Sequence, residues 1–245
     1  MDYNICMSGH SHSKKIKHEK DATDAQRSKM FSKLAKEITL ASRDGTDPAI
    51  NSRLRVAMER ARSFNMPKDN VERAVKRATG EGGQNAQLQE MLLEAYGPGG
   101  VAILISVITD NKNRTLSEIK QTLASHQGKP VEGGAVRWMF EQKGVLTIPQ
   151  SSPKEELELL AIEAGAQDLF WNEDGSLDVY TAPADLETVK KALEEKGRVS
   201  ESATLDWMPK EPLKAAEKVS SANQKLFDAL NEQEDVQDVY SNLAS

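Results

Sequence analysis

The sequence predicts an α+β protein of three domains: an N-terminal three-helix basic domain and two ferredoxin-like α+β domains, one inserted in the other. Three observations carry that expectation. Up to Gly80 the apolar residues recur at helical spacing, and beyond it they gather in short strand-like runs. Residues 135–208 read strand, helix, strand, strand, helix, strand, which is the split-βαβ order. Charge divides near the same point. Residues 1–80 carry 17 Lys+Arg against 10 Asp+Glu, a balance of +7, and residues 81–245 carry 15 against 28, a balance of −13; the two sum to the −6 of the whole chain.

The elements follow in chain order. Residues 1–25 are a basic polar arm with little apolar periodicity, and Met7 is read as the candidate native start. The helical domain spans 26–80. Phe31, Leu34, Ile38 and Ala41 form the stripe of its first helix, closed by Gly45. Asp47-Pro48 is expected to open the second, with Leu54, Ala57, Met58 and Ala61 inward. Pro67 suits the first turn of the third, where Val71, Ala74, Val75 and Ala78 share a face ended by Gly80. An α+β domain takes 81–131 plus 209–245. Its hairpin joins Met91–Tyr96 to Val101–Thr109 through Gly97-Pro98-Gly99-Gly100, where Pro presets one φ and Gly accepts a positive one. A helix with Leu116, Ile119 and Leu123 follows, and the tail adds a helix over 213–232 and a strand over 236–240.

The inserted domain takes 132–208. Its strands are expected near 136–148, 167–171, 177–180 and 202–207, and its helices at 153–164 and 184–196. Asp174-Gly175 is a hairpin turn between the middle strands. Trp138, Trp171 and Trp207 are read as strand-filling residues.

A positive end on an acidic body points to a nucleic-acid-facing surface, because phosphates attract the first and are repelled by the second. The candidate contacts are Lys14, Lys15, Lys17 and Lys20 on the arm; Arg27, Lys29, Lys33 and Lys36; Arg53, Arg55, Arg60 and Arg62; and Lys68, Arg73, Lys76 and Arg77. Arg114 joins them, within a helix-opening segment Asn111–Thr115 whose N–H groups would also attract anions. Cationic side chains of this kind hold the backbone and do not select a sequence. Reversing both Arg53 and Arg55 to Glu is expected to weaken binding with thermal stability nearly unchanged.

Other chemistries have little support. The chain has no Ser-His-Asp order, HExxH or CxxC, so no catalytic residues and no cofactor are assigned. A single Cys fits a reducing cytoplasm and excludes an internal disulfide. Cys6, His10, His12 and His18 match no established zinc spacing, so no metal is assigned. Gly97–Gly100 lacks the Gly-Lys-Ser/Thr ending of a phosphate loop. No apolar run is long enough to span a membrane.

Segments along nearly the whole chain from Met7 resemble the YebC/PmpR family, which includes a mitochondrial translational activator of cytochrome oxidase subunit I. They include Met7-Ser8-Gly9-His10-Ser11, Lys36-Glu37-Ile38, Arg53-Leu54-Arg55 and Asn65 through Ala74. Further along come Tyr96 through Ala102, Asp110-Asn111, Asn113-Arg114-Thr115 and Asp235 through Tyr240. The resemblance implies three domains and a cytoplasmic, non-enzymatic protein acting on gene expression. It implies either a DNA-binding transcriptional regulator or a ribosome-associated translation factor that relieves stalling, for example at consecutive prolines. The partner is thus duplex DNA or ribosomal RNA, and the oligomeric state is left open. The arm departs from the family: His12-Ser13 replaces Lys-Trp, and Glu19, Asp21 and Gln26 stand where Lys/Arg, Ala and Lys/Arg are usual. That change removes positive charge and an aromatic able to stack on a base.

Overall fold

A computed structural model describes residues 24–80, 87–150 and 152–244. Helices α1 (Asp24–Ala41), α2 (Ser52–Ser63) and α3 (Lys68–Ala78) close around their own apolar centre. Leu34, Ile38, Leu54, Ala57, Ala61 and Ala74 are all buried there. α2 starts later than its Asp-Pro signal suggests. Asn51 is the cap: its Oδ1 accepts the Leu54 N–H at 3.0 Å, and its Nδ2 donates to the carbonyls of Ala41 and Gly45, each at 2.7 Å. One side chain therefore closes α1 and opens α2. Asp47 instead makes the turn before the cap, its carbonyl accepting the Asn51 N–H.

The first sheet has the order β3-β1-β2-β8, antiparallel throughout, from β1 (Gln89–Tyr96), β2 (Ala102–Thr109), β3 (Lys129–Val131) and β8 (Val236–Ser241). Helices α4 (Lys112–Ser125) and α7 (Glu217–Asn231) cover one face, over Ile103, Ile105, Ile119, Phe227 and Leu230. The second sheet has the order β5-β6-β4-β7, also antiparallel, from β4 (Phe140–Ile148), β5 (Asp168–Trp171), β6 (Leu177–Thr181) and β7 (Ser202–Pro209). Helices α5 (Lys154–Ala164) and α6 (Leu186–Glu195) pack on it through Leu146, Leu157, Val179, Val189 and Leu193. This order and connectivity are the split-βαβ plan read from 135–208. The second sheet is threaded between β3 and β8, so one α+β unit is inserted in the other.

The structure corrects several boundaries. β3 has no signal of its own in the sequence; it contains Pro130, which its edge position tolerates because no ladder hydrogen bond is demanded there. β4 begins at Phe140, not near Val136, because the preceding loop is pinned elsewhere. The buried Glu94 carboxylate accepts the N–H groups of Gly134 (2.6 Å), Val136 (2.6 Å) and Arg137 (3.0 Å). Trp138, expected to fill a strand, is consequently 66% exposed on that loop. The last helix begins at Glu217, not 213, since Leu213 is bridged to Leu243. The Gly97–Gly100 turn packs on α7: a Cβ on Gly97 would lie 2.2 Å from Asn223 Oδ1, and Asn223 Nδ2 donates to the Pro98 carbonyl. No described helix is long and apolar enough to cross a membrane.

Candidate nucleic-acid interface

The structure sorts the candidate cations by the direction in which the three helices present them. Lys14, Lys15, Lys17 and Lys20 lie outside the described residues. Lys29, Lys33, Lys36, Arg53, Arg55 and Arg60 turn toward the two sheets. Arg27, Lys68, Arg73, Lys76 and Arg77 are exposed on the outside, and Arg62, also exposed, borders a cleft shared with Lys190 and Glu194 of α6.

The inward set forms a polar joint. Lys29 pairs with Glu232, and Lys36 Nζ meets Asp235 Oδ1 at 2.6 Å. The Lys33 ammonium donates to the Asn231 carbonyl at 2.7 Å. Arg60 reaches both oxygens of Asp238, at 3.3 and 3.4 Å, and also Glu37. Arg53 pairs with Glu90 at 2.5 Å, and Arg55 with Glu187 at 3.1 Å. In the reverse sense Lys190 of α6 pairs with Glu59 of α2. Arg43, which was not among the candidates, donates to the Leu88 carbonyl at 2.6 Å. Arg53 and Arg55 thus face carboxylates of the sheets and of α6, so reversing both charges would disturb the joint as well as remove two candidate phosphate contacts.

Asp235 is the hub of this joint. It is buried, and it takes Lys36 from the helical unit and Thr109, Thr115 and Arg114 from the first sheet and α4. Burial alone would raise its carboxyl pKa, but hydrogen bonds from Lys36, Thr115 and Thr109 outweigh that and hold it below the ordinary value. Glu37 goes the other way. Burial pushes its carboxyl up, Arg60 opposes the rise and Asp238 adds to it. Arg114, read from sequence as an anion contact, pairs with Asp110 at 3.0 Å and Asp235 at 3.3 Å. Its segment's N-terminal turn is capped by Asn111 Oδ1, which accepts the Arg114 N–H. Sequence reasoning missed the carboxylate row Glu232, Asp235 and Asp238. Its signal was the acidic balance of the body, part of which faces the basic helices.

The outer face is different in kind. Lys68, Lys76 and Arg77 on α3 make no ion pair with a described residue, and Arg73 bonds only its own helix, at the Asp69 carbonyl and Asn70. Arg73 and Arg77 border a cleft of about 460 Å³ between α1 and α3, which Ser28, Ser32 and Asn70 also line. Cationic forks beside hydroxyl and amide groups suit phosphate oxygens. Asp110 and Glu234 close the far end of the cleft and would repel an anion there.

Comparisons with known proteins agree with this architecture. Residues 11–81 match the family description "TACO1/YebC protein N-terminal domain" and residues 88–243 match "TACO1/YebC second and third domain". A protein of Petrotoga mobilis named "Probable transcriptional regulatory protein" is 49% identical, over 96% of this chain and 94% of its own. One of the same name from Kosmotoga olearia is 46% identical, over 96% and 94%. The crystal structure of a conserved hypothetical protein from Aquifex aeolicus superposes with a TM-score of 0.86 at 42% identity, covering 95% of this chain and 96% of that one.

Proposed function

The chain belongs to the TACO1/YebC family, and from that premise we propose that it is a non-enzymatic regulator of gene expression that grips the nucleic-acid backbone with the outer face of α3. One observation carries the reading. Lys68, Arg73, Lys76 and Arg77 project from a single short helix, exposed and unengaged by any described carboxylate, while most cations of α1 and α2 are occupied in the joint. The relatives' names as transcriptional regulatory proteins support the regulatory role.

Such a face binds by releasing counterions from phosphates, and it discriminates by backbone shape more than by bases. The test is fluorescence anisotropy with a duplex DNA and with a ribosomal RNA fragment, each across a salt series. Arg73→Glu with Arg77→Glu is expected to weaken binding about tenfold or more and to lower the salt slope by about 2, near 0.9 per lost phosphate contact. Thermal stability should change little, because both side chains are exposed. An unchanged slope in the double variant would remove α3 from the interface. The preferred ligand separates promoter DNA from the ribosome as target, and sedimentation with ribosomes at near-physiological salt checks that choice in lysate.

A further inference from the structure

We propose that the docked face of α1 and α2 is a second phosphate-binding surface, occupied in this closed arrangement by a row of the protein's own carboxylates. Nucleic acid would then bind fully only when the helical unit swings off the sheets. The inference rests on the proposed function and adds a covered site to it.

Three observations carry it. First, the covered cations are arranged as a backbone contact needs. Lys29, Lys33 and Lys36 fall at i, i+4 and i+7 on α1, a stripe spanning about 10 Å, and a nucleic-acid strand presents about three phosphates over that rise. Arg60 offers its guanidinium to both oxygens of one carboxylate, the fork geometry by which arginine also takes phosphate. Second, the groups opposite imitate the ligand. Glu232, Asp235 and Asp238 recur every third residue and meet Lys29, Lys36 and Arg60 in turn. Asp235 is also held from its own side by Thr109 and Thr115, so the acidic row stays on the body when the helices leave. Third, no shared apolar core resists separation. None of the four clusters of buried apolar side chains among the described residues combines residues of the helical unit with residues of the sheets. The unit keeps its own core and can move as a folded body. A joint of ion pairs is what a polyanion can displace; a hydrophobic one it could not.

The competition has an unusual signature: removing acidic groups from the body should tighten binding more than their charge alone explains. The full-length variant Glu90→Gln/Glu187→Gln/Glu232→Gln leaves every candidate cation in place. It is compared with Glu155→Gln/Glu195→Gln/Glu217→Gln, which removes the same charge from carboxylates that face solvent away from the joint. The joint variant is expected to bind a 25-base-pair duplex about three- to tenfold more tightly than the matched control, since each of its three pairs is at least partly open to solvent and individually weak. Equal affinities would overturn the proposal. Spin labels at Ile50→Cys and Ala124→Cys, in a Cys6→Ser chain, then report the joint directly. The distance should lengthen on adding the duplex, and also on adding inorganic polyphosphate. Duplex binding with an unchanged distance sinks the covered site and leaves the α3 face standing. If no nucleic acid binds, the proposed function fails, and polyphosphate still decides whether the joint opens to phosphate.

Discussion

At the scale of single residues, Glu94 and Asp235 show how a buried carboxylate is kept charged. In each, burial pushes the pKa up and hydrogen bonds donated to the carboxylate outweigh it: three backbone N–H groups at Glu94, and Lys36, Thr115 and Thr109 at Asp235. A folded-state pKa below the unfolded value, about 3.9 for Asp and 4.3 for Glu, stabilises the fold above that unfolded value. The contribution is lost as pH falls through the folded pKa. Glu37 has the opposite sign, because its raised pKa is an electrostatic penalty at neutral pH that protonation relieves. Acid unfolding below about pH 4 should therefore be led by Glu94 and Asp235. Glu94→Gln is expected to lose about 1–3 kcal/mol at pH 7, since a neutral acceptor replaces a charged one against three donors. Its stability should also fall less than that of the wild type between pH 5 and pH 3. Urea unfolding at several pH values measures both, and parallel curves would remove Glu94 from the acid response. Neither role was legible in the sequence, where Glu94 is one acid within an apolar run and its donors lie about 40 residues away.

Elements were readable where their signal is local. The stripes of α1 and α3 and the Asp174-Gly175 turn rest on spacing within a dozen residues, the split-βαβ order is a succession of such local signals, and the structure has them all. The misses share one cause, a partner distant in sequence. β4 starts late because Glu94 holds the loop before it, and α7 starts late because Leu213 is drawn to Leu243. β3 is three residues long and exists only as an edge against β1. α2 is the exception, since its true cap was close by. Asn51 follows the Asp-Pro signal by only a few residues, and its amide serves the end of α1 as well. Asn51→Ala should therefore lower stability by about 2 kcal/mol, at the upper end for a cap, because two carbonyls lose their donor along with the Leu54 N–H losing its acceptor. Asn51→Asp keeps the cap and loses the donor, so its midpoint in thermal unfolding should fall between those of Asn51→Ala and the wild type. An Asp variant as unstable as the Ala variant would show that the Nδ2 bonds, not the cap, hold the turn.

For the molecule as a whole, what matters is which units share apolar packing. The two sheets do: Ala102 and Leu104 of β2 are buried with Val136 and Phe140, and Trp207 and Tyr240 pack against them. No cluster of buried apolar side chains joins the helical unit to either sheet, and ion pairs and hydrogen bonds to the carbonyls of Leu88 and Asn231 hold it there. The two α+β units should accordingly behave as one body, and the helices as a second, weakly coupled one. The charge split along the sequence had this built into it. Opposite balances on the two parts mean attraction and repulsion toward an outside phosphate, and they also mean attraction toward each other. The exposed pairs of the joint, Lys29–Glu232 and Arg53–Glu90, weaken with ionic strength, whereas apolar packing does not. Hydrogen exchange on the full chain separates the two. Amides of α1, α2 and α3 should exchange through an opening of lower free energy than those of β2 and β4, and raising salt from about 0.05 to 0.5 M, where the screening length falls from about 14 to 4 Å, should widen the gap. Protection in both sheets should hold steady over that range. A single level of protection across helices and sheets, insensitive to salt, would mean that the joint is as strong as a core, and the helical unit could not then act as a movable part.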